Sequence, residues 1–375
     1  MIRAAGRCDR LAWFGIRTIF SAQGRRPAPG RAGFRRFPPA RGPFIPPPAW
    51  ALSWNGSAAG PEAMEAAHNR HPLFGVMLKV ISTIAFTAMA TQIKLVSDRI
   101  PAGEVAFFRS AFALIPVLFW VATRGQLTTV FSTPRIGGHL LRSIAGASSM
   151  FCGFTALGLL PLSDATAIGY AAPLLTVILA AVLLGETIRI YRWTAVVVGL
   201  VGIVVIVSGY VDSGGPDRSA IGAAFALAGA AFGALAATQT RRLTWSEDPS
   251  TIVVYFSSFT ALFMLVTLPF GWVLPMSGEW VLLVGCGICG GIGQVLLTQS
   301  YRYGEASLIA PFEYVSMVWA ILVGYLLFDT LPGLSMLIGS AIVIASGLFV
   351  IYREQRLNLA RARRAAVKTP FDPEQ

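Results

Sequence analysis

The chain has 375 residues, of which 55% are hydrophobic and 13% charged, and its mean hydropathy is +0.64. A soluble protein of this length needs a charged surface that so little polar sequence cannot supply, so the composition defines a membrane protein. Four cysteines, Cys8, Cys152, Cys286 and Cys289, are too sparse for a secreted disulfide scaffold.

The net charge of +12 is unevenly placed. Residues 1–63 carry ten arginines, Arg3 to Arg41, against Asp9 and Glu62, which accounts for +8 and leaves +4 for the rest, so nucleic acid is not expected as a partner. The same stretch is rich in proline and glycine with no sustained hydrophobic period, and residues 1–70 are expected to be a disordered basic segment. A dispensable tail, or translation starting at Met64 just before the first apolar run, accounts for it best; an arginine-rich transit peptide and basic contact with anionic lipid or nucleic acid are the lesser readings.

Ten apolar runs follow, each long enough to cross a bilayer: 73–96, 103–122, 137–158, 163–185, 191–210, 219–240, 250–271, 279–301, 306–328 and 333–352. Run length and the lack of two-residue alternation predict helices rather than barrel strands, hence an all-α integral membrane protein. The breaks after the second, fourth, sixth and eighth runs hold Arg124, Arg135, Arg189, Arg192, Arg241, Arg242 and Arg302; the other breaks hold only Arg99 and Arg218. Positive loops stay in the cytoplasm, so both termini are expected there, and the basic tail 354–375 agrees.

The two halves repeat. Setting Glu186 against Asp329 aligns LLGE with LLFD, and GIVVIVSG with AIVIASG. Five spans per half is an odd number, so the second copy enters the membrane upside down. The expected organisation is two inverted five-helix repeats, 71–212 and 213–353, with a substrate site between them near the midplane.

Pro173 to Glu186, with the basic break and glycine-bearing span after it, resembles the EamA-type signature of the drug/metabolite transporter superfamily. Ala310 to Gly333 is similar to that family's ninth-helix region, and EVAFFRS (Glu104 to Ser110) to its second-helix opening. The resemblance covers 73–352, and the closest pattern is the branch that includes S-adenosylmethionine uptake carriers. It implies a multi-pass permease of the bacterial inner membrane, a secondary active carrier of one small polar metabolite working by alternating access. Its implied partners are that substrate, the lipid bilayer and either protons or a counter-substrate, with a homodimer left open. Aspartate stands at Asp329 where the family usually has glutamate.

An ionisable group deep in hydrocarbon marks a candidate site. Glu313, about eight residues into the ninth run, is the foremost, as a receiver of a proton or cationic substrate; the alternative is a carboxyl hydrogen-bonded to Tyr170 or Gln294. Arg109, Lys79 and Arg142 either form a basic ring for a carboxylate or phosphate or snorkel to the interface. Tyr170, Tyr314 and Trp319 either stack on a flat ligand or pack between helices. Gln294 is a neutral group for ligand binding or helix contact. Pro173 and Pro311 predict kinks.

GCGICG (Gly285 to Gly290) fits a nucleotide-binding string but lies inside an apolar run with no strand before it. Cys286 and Cys289 lack a second ligand pair. No metal or cofactor is expected, and no compact catalytic set supports the alternative of an intramembrane enzyme or a lipid-handling scaffold.

Overall fold

The computed structural model describes residues 72–184, 188–211, 218–244, 246–303 and 306–368. The basic segment 1–70 and Glu186 of the repeat alignment lie outside them. Among the described residues there are α-helices, short 3-10 turns and no strands, because in hydrocarbon each backbone N–H and C=O must be satisfied within its own segment.

Twelve α-helices are numbered here in chain order: α1 Pro72–Val96, α2 Ala102–Thr123, α3 Ile136–Leu159, α4 Leu162–Gly169, α5 Ala171–Leu184, α6 Ile190–Val211, α7 Arg218–Leu243, α8 Pro249–Met264, α9 Ser277–Tyr303, α10 Ala306–Ile309, α11 Val315–Phe328 and α12 Leu334–Lys368. They make ten membrane spans. The fourth, Leu162–Leu183, combines α4 and α5; the seventh, Pro249–Phe270, runs from α8 into a 3-10 turn; the ninth, Ala310–Phe328, combines another 3-10 turn with α11. Each apolar run of the sequence is thus a span, within a few residues at its ends.

Helix ends follow local chemistry. Prolines stand where a helix starts and no N–H is needed: Pro101 before α2, Pro161 before α4 and Pro249 at the first turn of α8. Asp329 ends α11 in the left-handed conformation at φ 52°, where a short polar side chain is tolerated best after glycine. This aspartate in place of glutamate is therefore a helix terminator.

Packing repeats across a pseudo-two-fold. The third span of one repeat, α3, lies along the first of the other, α7, just as α9 lies along α1; α2 meets its own counterpart α8, and α6 meets α12. That last crossing is close because Gly202 and Gly339 face each other. A Cβ added to Gly202 would stand 2.7 Å from the Gly339 carbonyl oxygen. Outward, α6 presents Val197, Val201 and Val204 at helical spacing, an apolar stripe fit for lipid.

Candidate substrate cavity

Two broken helices organise the centre. Tyr170 separates α4 from α5, three residues ahead of Pro173; in the ninth span Ala310–Tyr314, containing Pro311, winds as a 3-10 turn between α10 and α11. Proline removes a backbone donor and obstructs the turn before it, so the kinks expected from these prolines are full breaks. Tyr170 and Tyr314 each stand directly before the helix that completes their span. Their rings meet edge to face, centroids 5.1 Å apart.

A polar chain leads from this contact. Ser316 Oγ donates to the Glu313 carbonyl oxygen at 2.6 Å, leaving the Tyr170 hydroxyl, 2.7 Å away, to donate to Ser316. The Glu313 carboxylate itself is ion-paired with the Lys79 ammonium of α1. Lys79 has only 1% of its side chain exposed and Glu313 has 46%. Tyr170 and Gln294, the partners suggested by the sequence, do not hold this carboxylate. Lys79 does not snorkel, because α1 packs directly on the 3-10 turn and covers it.

Arg109 and Arg142 come together elsewhere, in a cavity of ≈ 440 Å³ between the repeats, where Met89, Ser149, Thr166 and Phe256 also face inward. Arg109 is 6% exposed, and its Nε has no hydrogen-bond partner among the described residues. Arg142 donates from Nε to Thr240 Oγ1 at 3.1 Å and lies 3.7 Å above the Phe256 ring, while its Nη1 is buried and unpaired. Glycines give these planar groups room. A Cβ on Gly290 would stand 3.0 Å from Arg109 Nε, and one on Gly146 would stand 3.3 Å from Arg142 Nη1. The GCGICG string therefore serves close packing of α9 against α1 and α2, with Gly285 on Gln92 and Gly287 on Phe112.

A second cavity, ≈ 560 Å³, opens at the end of the bundle where α1 finishes and α7 begins, lined among others by Asp98 and Arg218. Phe154 lines both. Lys79 lies the other way, ten residues before Met89 on α1, or about 15 Å. Gly169, just before the break in the fourth span, lines the central cavity. The two ends of the passage are thus built differently.

Trp319 and Gln294 do not line either cavity; Trp319 keeps a buried, unpaired Nε1. Two buried acids escaped the sequence reading because they sit at run ends. Asp164 accepts from Ser163 Oγ at 2.8 Å and from the Tyr210 hydroxyl, and Glu104 accepts the Val273 backbone N–H at 3.0 Å. Phe154 and Phe256 were missed because an aromatic in an apolar run carries no sign of which face it serves.

Ten spans in two inverted repeats, broken at matched points around a central cavity, define a membrane carrier. The chain belongs to the EamA-like transporter family, whose model matches residues 73–208 and 220–352. It is 30% identical over 288 residues to an S-adenosylmethionine uptake transporter of Rickettsia conorii, covering 76% of this chain and 94% of that one. A pseudopaline exporter of Pseudomonas aeruginosa is 30% identical over 282 residues, covering 74% and 93%. A riboflavin transporter of Vibrio cholerae is 27% identical over 293, covering 76% and 95%. One solved crystal structure superposes with a TM-score of 0.56 at 21% identity, covering 76% of this chain and 98% of that one. The protein is a multi-pass permease of small metabolites and not an enzyme.

Proposed function

We propose that the chain carries an amino-acid-like or S-adenosylmethionine-like metabolite across a bacterial inner membrane, with both termini in the cytoplasm. The observation that carries this reading is the one-sided passage. The central cavity adjoins the vestibule at the end of the basic-poor breaks, and the Lys79–Glu313 pair stands toward the opposite end. Under the cytoplasmic retention of basic loops, the vestibule faces the periplasm and the ion pair closes the cytoplasmic side. Alternation then consists of parting Lys79 from Glu313 while the vestibule collapses on Phe154. A proton on Glu313, or a counter-substrate, supplies the means of parting them.

Purified full chain in proteoliposomes, given radiolabelled S-adenosylmethionine and a set of amino acids under a proton gradient or with unlabelled solute inside, is expected to take up at least one of them saturably. Absence of saturable flux in every case overturns the reading. Cysteine accessibility at positions 80 and 98 tests the sidedness: reagent added from the periplasm should reach only the second.

A further inference from the structure

We infer that the substrate is an organic anion, bound through its carboxylates by Arg109 and Arg142 together. This rests on the central cavity being the transport site and narrows the substrate class within it. The cavity contains two guanidinium groups and no acidic residue among its lining positions. Neither arginine is ion-paired to a described carboxylate, and each keeps a buried nitrogen without a hydrogen-bond partner. Two cations in a low-dielectric pocket repel each other and lack compensation, so an anion gains from both at once.

The shape of the groups sharpens the class. Guanidinium forks match planar carboxylates in bidentate fashion, which a compact ammonium would not do. Arg142 is already oriented, held by Thr240 and by the face of Phe256, while Gly146 and Gly290 lie directly against the two guanidinium groups, where any side chain would crowd them. The volume of ≈ 440 Å³ suits a small metabolite rather than a nucleotide-sugar or a peptide. An α-ammonium or sulfonium finds no lining carboxylate to receive it. The geometry thus favours a small carboxylate anion over a substrate with net positive charge.

Thermal unfolding of the full chain in detergent, titrated with glutarate, citrate, L-glutamate, inorganic phosphate, S-adenosylmethionine, spermidine and the uncharged glutaramide, provides the test. Stabilisation by the carboxylates and not by glutaramide or spermidine is expected. Arg109→Gln and Arg142→Gln should each weaken carboxylate binding about 30-fold or more. Inorganic phosphate acting alone, with no carboxylate effective, refutes the carboxylate assignment. So do equal binding of glutarate and glutaramide, preference for spermidine, or no binding by any anion in the set. Should a glutamine variant not fold, Arg109→Lys and Arg142→Lys retain the charge but lose the fork; unchanged carboxylate affinity in both refutes the assignment. Flux separates the two readings. Arginine-dependent glutarate binding without transport of any tested compound removes the permease assignment and keeps the anion site, whereas saturable S-adenosylmethionine flux indifferent to both arginine changes does the reverse.

Discussion

Replacing Glu313 by glutamine deletes the described ionic partner of Lys79, a cation with 1% of its side chain exposed. Removing one member of a buried pair typically costs about 3–5 kcal/mol. Because 46% of the Glu313 side chain is exposed, solvent screening brings the cost below that range, to about 2–3 kcal/mol. For a chain of this size that corresponds to a fall in Tm on the order of 3–4 °C. Lys79→Met behaves differently. It leaves a half-exposed carboxylate that water can serve, and it places a flexible apolar side chain in an apolar setting, so its cost is about 1 kcal/mol or less. The double variant should return close to Lys79→Met. Thermal unfolding of the purified chain in detergent, with size-exclusion profiles to establish monodispersity, reads all three. Equal damage from the two single changes, or a double variant as unstable as Glu313→Gln, would refute the assignment of burial to the lysine side of the pair.

Glu104→Ala leaves the part-buried Val273 N–H without its carboxylate acceptor and should destabilise by about 1 kcal/mol, measured by the same unfolding assay. Tyr170→Phe keeps the edge-to-face contact with Tyr314 but loses the bond to Ser316, for about 1 kcal/mol and little change in expression. Gly202→Val forces α6 away from the Gly339 carbonyl; the overpacking should exceed about 3 kcal/mol, and folded protein recovered from membranes should fall sharply.

The ten spans were legible because a bilayer imposes one length and one composition on every crossing, and the inverted repeat because LLGE and LLFD recur at matched exits. Pro173 and Pro311 announced the helix breaks, since their missing donors act locally. What could not be read was which charges meet. Lys79 and Glu313 are 234 residues apart, and their encounter depends on α1 lying against the second repeat. Arg109 and Arg142 looked like Lys79 in sequence, yet one cation is satisfied and the other two line a cavity. Depth along a run gave no rotation about the helix axis, and rotation decides that difference. Trp319 shows the same limit, being central in its run and outside both cavities.

The Lys79–Glu313 pair stands toward one end of the bundle, and the cavity lined by Asp98 and Arg218 opens at the other. On the reading proposed above, the pair is a latch on one of the carrier's two doors. On that reading, releasing the latch is a step of each turnover, and between substrates the protein rests open toward the side of the vestibule.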